Sequence, residues 1–381
     1  MTLNLVEKIC FPTDLLFGND TEFRLKLPKE NLLLVVSASL NKDFLNAFVS
    51  SYESKGYIFG NIVEVSGEPS SDKIDTVFDA IFDKTYKLSG IVGFGGGSTL
   101  DFAKGLAVLF HNGGLISDFE FGVRKISSSV PLWLIPTTCG SGSEVTQYSV
   151  INNSRTGRKF TLAHESLRAK QAAVNPELIR FIPNQVRLET ALDAFTHCLE
   201  ALLNCDREKN SEIISRQGLL IASKSLPMLK AGELDHKLMR ELCMLSVYGG
   251  ISISFNRTGL IHTLSVAFSP FMDMSHGLLN AKLVEYALRY SLSSYNGRLR
   301  EIVDEMFGCD SRTDSEAFQT LIDWLMDLVG DKKFELKKPI VGHAEDIFKR
   351  VLQDSGLNVV THGGIDKQSL YTLIEGIIDE I

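Results

Sequence analysis

The sequence predicts an α/β protein in two parts, a parallel-sheet domain over residues 1–183 followed by an all-helical domain over residues 184–381. Three observations lead there. Short β-rich runs alternate with helical stretches through the first half, the pattern of βαβ units feeding a parallel sheet. After FIPNQV (181–186) the β-rich runs stop and helical periodicity takes over. With 381 residues the chain exceeds the usual length of one domain, so each half is long enough for its own core.

In chain order, strands are expected in NLLLVVS (31–37), YIFGNIVEV (57–65), GIVGFG (90–95) and PLWLIP (131–136), runs rich in branched apolar residues. Helices are expected in LETALDAFTHCLEALLN (188–204), SEIISRQGLLIASKSLPMLK (211–230), RELCMLSVYGGISIS (240–254) and NAKLVEYALRY (280–290), where apolar residues recur at helical spacing. No internal repeat and no low-complexity segment interrupts either half.

Two segments of the first half carry chemistry. In SGIVGFGGGSTLDFAKGLAVLF (89–110), Gly95, Gly96 and Gly97 read as a tight turn between a buried strand and a helix opening at Ser98. Backbone N–H groups at such a helix start attract phosphate, and glycine admits a pyrophosphate closely, so a Rossmann-like dinucleotide site is expected here. In PLWLIPTTCGSGSEVTQYSVI (131–151) a strand again runs into a loop, where Thr137, Thr138, Ser141 and Ser143 offer hydroxyls with little bulk. Each string alone also describes an ordinary turn.

The second half holds one carboxylate and three imidazoles: Asp193, His197, His262 and His276. Asp193 and His197 are four apart in a helical run, so both leave one face a turn apart. His262 and His276 follow in IHTLSVAFSPFMDMSHG, on a second helix and the turn after it. Three nitrogens and an oxygen suit zinc, iron, copper or nickel, whereas calcium and magnesium favour an oxygen cage. A single histidine is more often a hydrogen-bonded core or surface residue, and an acid four residues from an imidazole can simply bond it.

The segments GGGSTLD..K, PTTCGSGSEVT, TGRKF, VNPEL, DAFTHCLEA and HTLS...SHG, in this order and at this spacing, resemble the iron-containing (group III) alcohol dehydrogenases of the dehydroquinate synthase-like superfamily. The resemblance runs from about residue 10 to about residue 295. It implies a divalent metal on Asp193, His197, His262 and His276, usually iron and sometimes zinc or nickel, and NAD or NADP on the glycine turn and the PTT loop. It also implies that Asp101 lies near the nicotinamide and Lys159 near the cofactor. The reaction implied is hydride transfer between nicotinamide and an alcohol or aldehyde, in a homo-oligomer.

Three departures from that pattern stand out. Many members carry another histidine four residues after the third ligand, where this chain has Val266; a proton relay through it is absent or rerouted, and a polar hydroxylated substrate becomes the expectation. An acid that bonds the cofactor ribose often ends the first strand, where Ala38 and Ser39 stand here, so NADP stays open beside NAD. Asn175 replaces the usual aspartate of VDPEL. A metal- and NAD-dependent sugar-phosphate cyclase of the dehydroquinate synthase type is the alternative reading, and a non-catalytic sensor a third.

A net charge of -8 argues against nucleic acid or an anionic membrane surface as partner. The six cysteines, Cys10, Cys139, Cys198, Cys205, Cys243 and Cys309, include no C-x-x-C pair and read as reduced thiols. MTLNLVEKIC lacks the basic and apolar regions of a signal peptide, and no run of eighteen apolar residues occurs, so a cytoplasmic protein outside membranes is expected. Cys139, His111, His164, His236, His343 and His362 read as structural or exposed.

Overall fold

The computed structural model describes residues 12–82, 88–204, 209–330, 333–353 and 366–381. Cys10, Cys205 and His362 lie outside the described residues. The chain divides into two compact units, one of Met1–Thr138 with Gly142–Ile182 and one of Cys139–Ser141 with Pro183–Ile381.

The first unit is built on a six-stranded sheet, parallel throughout, in the order β1-β8-β5-β4-β2-β3. The strands are β1 (Asp14–Phe17), β2 (Leu32–Ser37), β3 (Phe59–Val65), β4 (Gly90–Gly95), β5 (Leu132–Pro136) and β8 (Gln171–Val174). Helices α1 (Lys42–Glu53), α2 (Ser71–Ile81) and α3 (Gly97–Asn112) connect them. A parallel sheet covered on both faces needs near-continuous apolar strands, and every residue of β4 and β5 is buried. Alternate residues feed opposite cores: Leu33, Val35, Ile91 and Leu134 pack with α2 and α3, while Leu32, Leu34, Val36, Val92 and Ile135 pack with Phe48 and Tyr52 of α1. Strands β6 (Tyr148–Asn153) and β7 (Arg158–Ala163) form a separate antiparallel pair.

The four expected strands are present as β2 to β5. The chain leaves β2 toward β3, then returns through α2 to place β4 on the other side of β2. Strand order therefore reverses between β2 and β4, and in open α/β sheets ligands bind at the carboxyl ends of the strands at such a point.

The glycine turn is shorter than expected. Gly95 ends β4, Gly97 already belongs to α3, and only Gly96 (φ -71°, ψ 174°) lies between. None of the three has a positive φ, so their role is close approach instead of a left-handed turn. A Cβ on Gly95 would stand 2.6 Å from Thr99 Oγ1 and 2.9 Å from Ser37 Cβ, and one on Gly96 3.1 Å from Thr138 Cγ2.

The second unit contains, among the described residues, α4 (Asn184–Leu203), α5 (Lys209–Lys230), α6 (His236–Asn256), α7 (Leu260–Phe268), α8 (His276–Ser291), α9 (Arg298–Phe307), α10 (Asp314–Val329), α11 (Ala344–Gln353) and α12 (Lys367–Glu380). Helix α4 starts four residues earlier than the periodicity suggests, immediately after Pro183. It is the buried axis of the unit, and glycines mark where neighbours close on it. A Cβ on Gly249 of α6 would lie 2.9 Å from Ala194 O and 3.1 Å from His197 Cβ, and one on Gly277 of α8 only 1.9 Å from Glu189 O. No described helix is long and apolar enough to cross a membrane. Among the described residues Cys139, Cys198, Cys243 and Cys309 form no disulfide, and the first three are buried.

Candidate active site

Helix α4 carries Asp193 and His197 on one buried face, with Glu200 one further turn along it. Helix α7 brings His262 to the same face. His276 opens α8, behind the N-cap Ser275, instead of sitting in the turn before it. One oxygen of Asp193 and one ring nitrogen each of His262 and His276 lie within 4.8 Å of one another. Asp193 Oδ1 is 3.4 Å from His262 Nε2 and 3.8 Å from His276 Nε2. His197 stands beside this triad: its Nε2 is 3.9 Å from Asp193 Oδ1, and its ring stacks on that of His262 with centroids 4.6 Å apart.

Supporting residues aim the donors. Glu200 Oε2 is 2.5 Å from His262 Nδ1, and its Oε1 accepts from the Ile261 amide at 2.5 Å. One carboxylate thus caps the start of α7 and fixes the His262 ring so that Nε2 faces Asp193, the orientation that outer carboxylates give metal-binding imidazoles. Ser265 Oγ lies 3.2 Å from His276 Nδ1, again leaving Nε2 for the common point. Asn280, fully buried on α8, places Nδ2 2.8 Å from Asp193 Oδ1, 3.0 Å from His262 Nε2 and 3.2 Å from His276 Nε2.

Sequence reasoning missed Glu200, Ser265 and Asn280, although spacing flags two of them. Glu200 is seven residues after Asp193, and Asn280 four after His276, each on the same helix face as a candidate ligand.

The electrostatics suit a cation. Burial opposes ionisation of Asp193, but the surrounding His197, His276 and His262 hold its carboxyl well below the usual range. Burial pushes His197 down to about 4 against the pull of Asp193. Burial would lower His262 as well, yet Glu200 and Asp193 raise it to about 9, so a cation is favoured at the one imidazole held between two carboxylates. An acid and imidazoles, with Nε2 atoms turned to one point, fit a divalent transition metal in donor type and spacing. The His276 side chain is 34% exposed against 11% for Asp193, so access lies on its side.

In the first unit, Ser39, Gly95 to Ser98, Thr137 and Thr138 lie at the carboxyl ends of the neighbouring strands β2, β4 and β5. Ser39 follows β2, with its Oγ 2.8 Å from Ser37 Oγ. Gly95, Gly96, Gly97 and Ser98 join β4 to α3, whose N-cap has no side chain to bond the first amides. Thr137 follows β5 and pairs its amide with Gly95 O at 2.9 Å; Thr138 packs on Gly96. Asp101 and Ser143 bond each other at 2.7 Å, and Asp101 also accepts from the Val150 amide at 3.0 Å. Burial raises Asp101 despite Lys104, and the fully buried Lys104 bonds the carbonyls of Ser143, Thr146 and Tyr148. These two residues therefore brace the loop after β5. Lys159 on β7 pairs with Glu68 at 2.5 Å. Ser141 belongs with Cys139 and Gly140 to the helical unit. Cys139 lies 3.7 Å from Thr190 Oγ1, and burial lifts its thiol to about 11, so it is an inert packing residue.

Sequence models of one family match both halves: iron-containing alcohol dehydrogenase over residues 12–176, and the C-terminal domain of the Fe-containing alcohol dehydrogenase family over residues 187–339. Long-chain-alcohol dehydrogenase 1 of Geobacillus thermodenitrificans is 28% identical over 312 residues, covering 80% of this chain and 78% of its own. The 4-hydroxybutyrate dehydrogenase of Clostridium kluyveri is 29% identical over 270 residues, 70% of this chain and 71% of its own. The structure of sulfoacetaldehyde reductase from Bifidobacterium kashiwanohense in complex with NAD+ shares the fold at a TM-score of 0.80 and 19% identity, over 97% of this chain and 98% of that one. The chain belongs to the iron-containing alcohol dehydrogenase family. It is an oxidoreductase of alcohols and aldehydes, in a family that works with NAD(H) and a divalent metal.

Proposed function

We propose that Asp193, His197, His262 and His276 hold one divalent ion, iron(II) in the cell with zinc or nickel as substitutes, in the all-helical catalytic domain of residues 184–381. The observation that carries this is the convergence of Asp193 Oδ1, His262 Nε2 and His276 Nε2 within 4.8 Å. His197, 3.9 Å from Asp193, completes the set. Residues 1–183 form the dinucleotide domain, with NAD or NADP on Ser39, Gly95, Gly96, Gly97, Ser98, Thr137, Thr138, Ser141 and Ser143, and with Asp101 and Lys159 beside it. The start of α3, where the N-cap Gly96 makes no side-chain capping bond, supports phosphate binding there. No carboxylate follows β2 at Ala38 or Ser39, so the 2'-phosphate of NADP meets no repulsion at that point.

When bound, the ion acts as a Lewis acid on the alcohol or carbonyl oxygen and the nicotinamide exchanges hydride with its carbon. The chain's part is to place both. Asp193 supplies the charge that offsets the ion, and Glu200 and Ser265 lock the two imidazoles in the ligating orientation. Val266, one turn after His262, offers no proton, so proton exchange runs through solvent on the open His276 side.

The substrate is a polar hydroxylated alcohol or aldehyde. Val266 in place of the family histidine supports this, as does likeness to a 4-hydroxybutyrate dehydrogenase. The enzyme works as a cytoplasmic homo-oligomer, which its free thiols and family membership favour. A panel followed by NAD(P)H absorbance at 340 nm tests the reading: polyols, hydroxy acids and anionic aldehydes should give higher kcat/KM than short aliphatic alcohols. The reverse ranking refutes the substrate class, and no absorbance change with any member refutes the dehydrogenase itself.

A further inference from the structure

We propose that Asn280 supplies a fifth donor to the ion by turning its carboxamide oxygen inward when the metal enters, an inference that rests on the metal reading above. Three observations carry it. First, Asn280 Nδ2 stands 2.8, 3.0 and 3.2 Å from Asp193 Oδ1, His262 Nε2 and His276 Nε2. With metal–ligand bonds of about 2.1 Å, adjacent ligands lie about 3.0 Å apart in an octahedral shell and about 3.4 Å apart in a tetrahedral one. The amide end therefore occupies a ligand position relative to all three donors, and the Asp193 to His262 separation of 3.4 Å has the same scale.

Second, the other end of the amide is unsatisfied. Asn280 Oδ1 is buried with no hydrogen-bond partner among the described residues, while the side chain as a whole is inaccessible. A buried carbonyl left unpaired is destabilising, so this oxygen is available as a donor in another orientation of the amide. Third, a cation in the cage reverses the preference of the amide. Asp193 Oδ1, which accepts from Nδ2, and the two ring nitrogens beside it turn to the ion, and the N–H dipoles of the amide are left facing positive charge. A half-turn about χ2 exchanges the two ends, relieves that repulsion and delivers Oδ1 to the position Nδ2 now holds. An amide oxygen is a competent donor to divalent ions.

His276 and Asn280 are four apart on α8, as Asp193 and His197 are on α4. Each helix thus contributes an i, i+4 pair to one ion. The side chain acts as a lock in the metal-free protein, where it ties the three donors together, and as a ligand in the loaded one.

The test is cobalt(II) binding to the full-length protein and its Asn280→Ala and Asn280→Asp variants, by chelator competition, together with a crystal structure of the cobalt-loaded wild type. The expected results are Oδ1 within about 2.3 Å of the ion, an affinity at least ten-fold weaker in Asn280→Ala, and recovery in Asn280→Asp, which restores an oxygen. Oδ1 beyond 3 Å in the loaded wild type overturns the assignment, as does an Asn280→Ala protein that binds cobalt as tightly or more tightly. If Asn280→Ala does not fold, judged by its circular dichroism, the loaded wild-type structure decides alone. A wild type that binds no cobalt overturns the metal reading as well, whereas a tight wild-type site with Asn280 turned away sinks only this inference.

Discussion

Asn175 caps the 3-10 turn Pro176–Phe181 with its Oδ1, which accepts from the Glu177 amide at 3.0 Å, and its Nδ2 is 3.1 Å from both oxygens of Glu22. Glu22 is wholly buried, and burial raises its pKa while Asn175 opposes the rise. The departure from the family aspartate therefore has a physical reason: an acid at 175 would face a second buried carboxylate. Asn175→Asp should destabilise the protein by about 2–4 kcal/mol at pH 7. Like charges raise the folded-state pKa of the pair, so the folded protein binds more protons than the unfolded chain. The loss grows as pH rises through that raised pKa and vanishes below the unfolded value, near 4. Urea midpoints at pH 4 and pH 7 check this; equal loss at both would contradict the carboxylate account. The sequence shows Asn175 as unusual but does not name Glu22, because 153 residues separate the two.

At the scale of elements, glycine contacts set how close the helices come. Gly277→Ala puts a methyl 1.9 Å from Glu189 O, so α8 must move off α4 and carry His276 with it; the expected cost is several kcal/mol with loss of metal binding. Gly376 is the control. It is exposed on α12 with nothing near its Cβ position and no positive φ, so Gly376→Ala should stabilise by about 0.5–1 kcal/mol. Thermal unfolding and metal content of the two variants separate packing at the site from helix propensity. In the 3-10 turn Ser143–Val145, burial raises Glu144 to about 7. A folded pKa above the unfolded 4.5 gives stability that is complete below pH 4.5 and lost as pH rises through 7. Glu144→Gln should therefore unfold at a higher temperature than wild type at pH 8 and at a similar one at pH 4.5, by differential scanning calorimetry. The apolar runs of β2 to β5 were legible because a doubly covered parallel sheet demands them. Strands β1 and β8 have only four residues each, and β8, QAAV, is half alanine, so neither shows the branched composition that marks a strand. Strands β6 and β7 pair with each other apart from the six-stranded sheet, beyond a loop of serine and glycine, with one further bridge from Asn152 to Ser70.

Across the whole molecule, the division into a sheet unit and a helical unit could be read from periodicity, and Asp193, His197, His262 and His276 could be picked out as candidate ligands from their types and spacing. What could not be read is the shell that orients them. Glu200, Ser265 and Asn280 acquire meaning only when α4, α7 and α8 converge, since sequence gives which face a residue is on and not what lies opposite it. The account as a whole stands on one ion held by the helical unit. The most direct test is metal content per chain, by mass spectrometry, of wild type and His276→Ala purified alike, with NAD(P)H turnover measured on the same samples. One divalent ion per wild-type chain, and loss of both ion and turnover in His276→Ala, is the predicted result. Full metal occupancy in His276→Ala, or an active wild type devoid of metal, would contradict it.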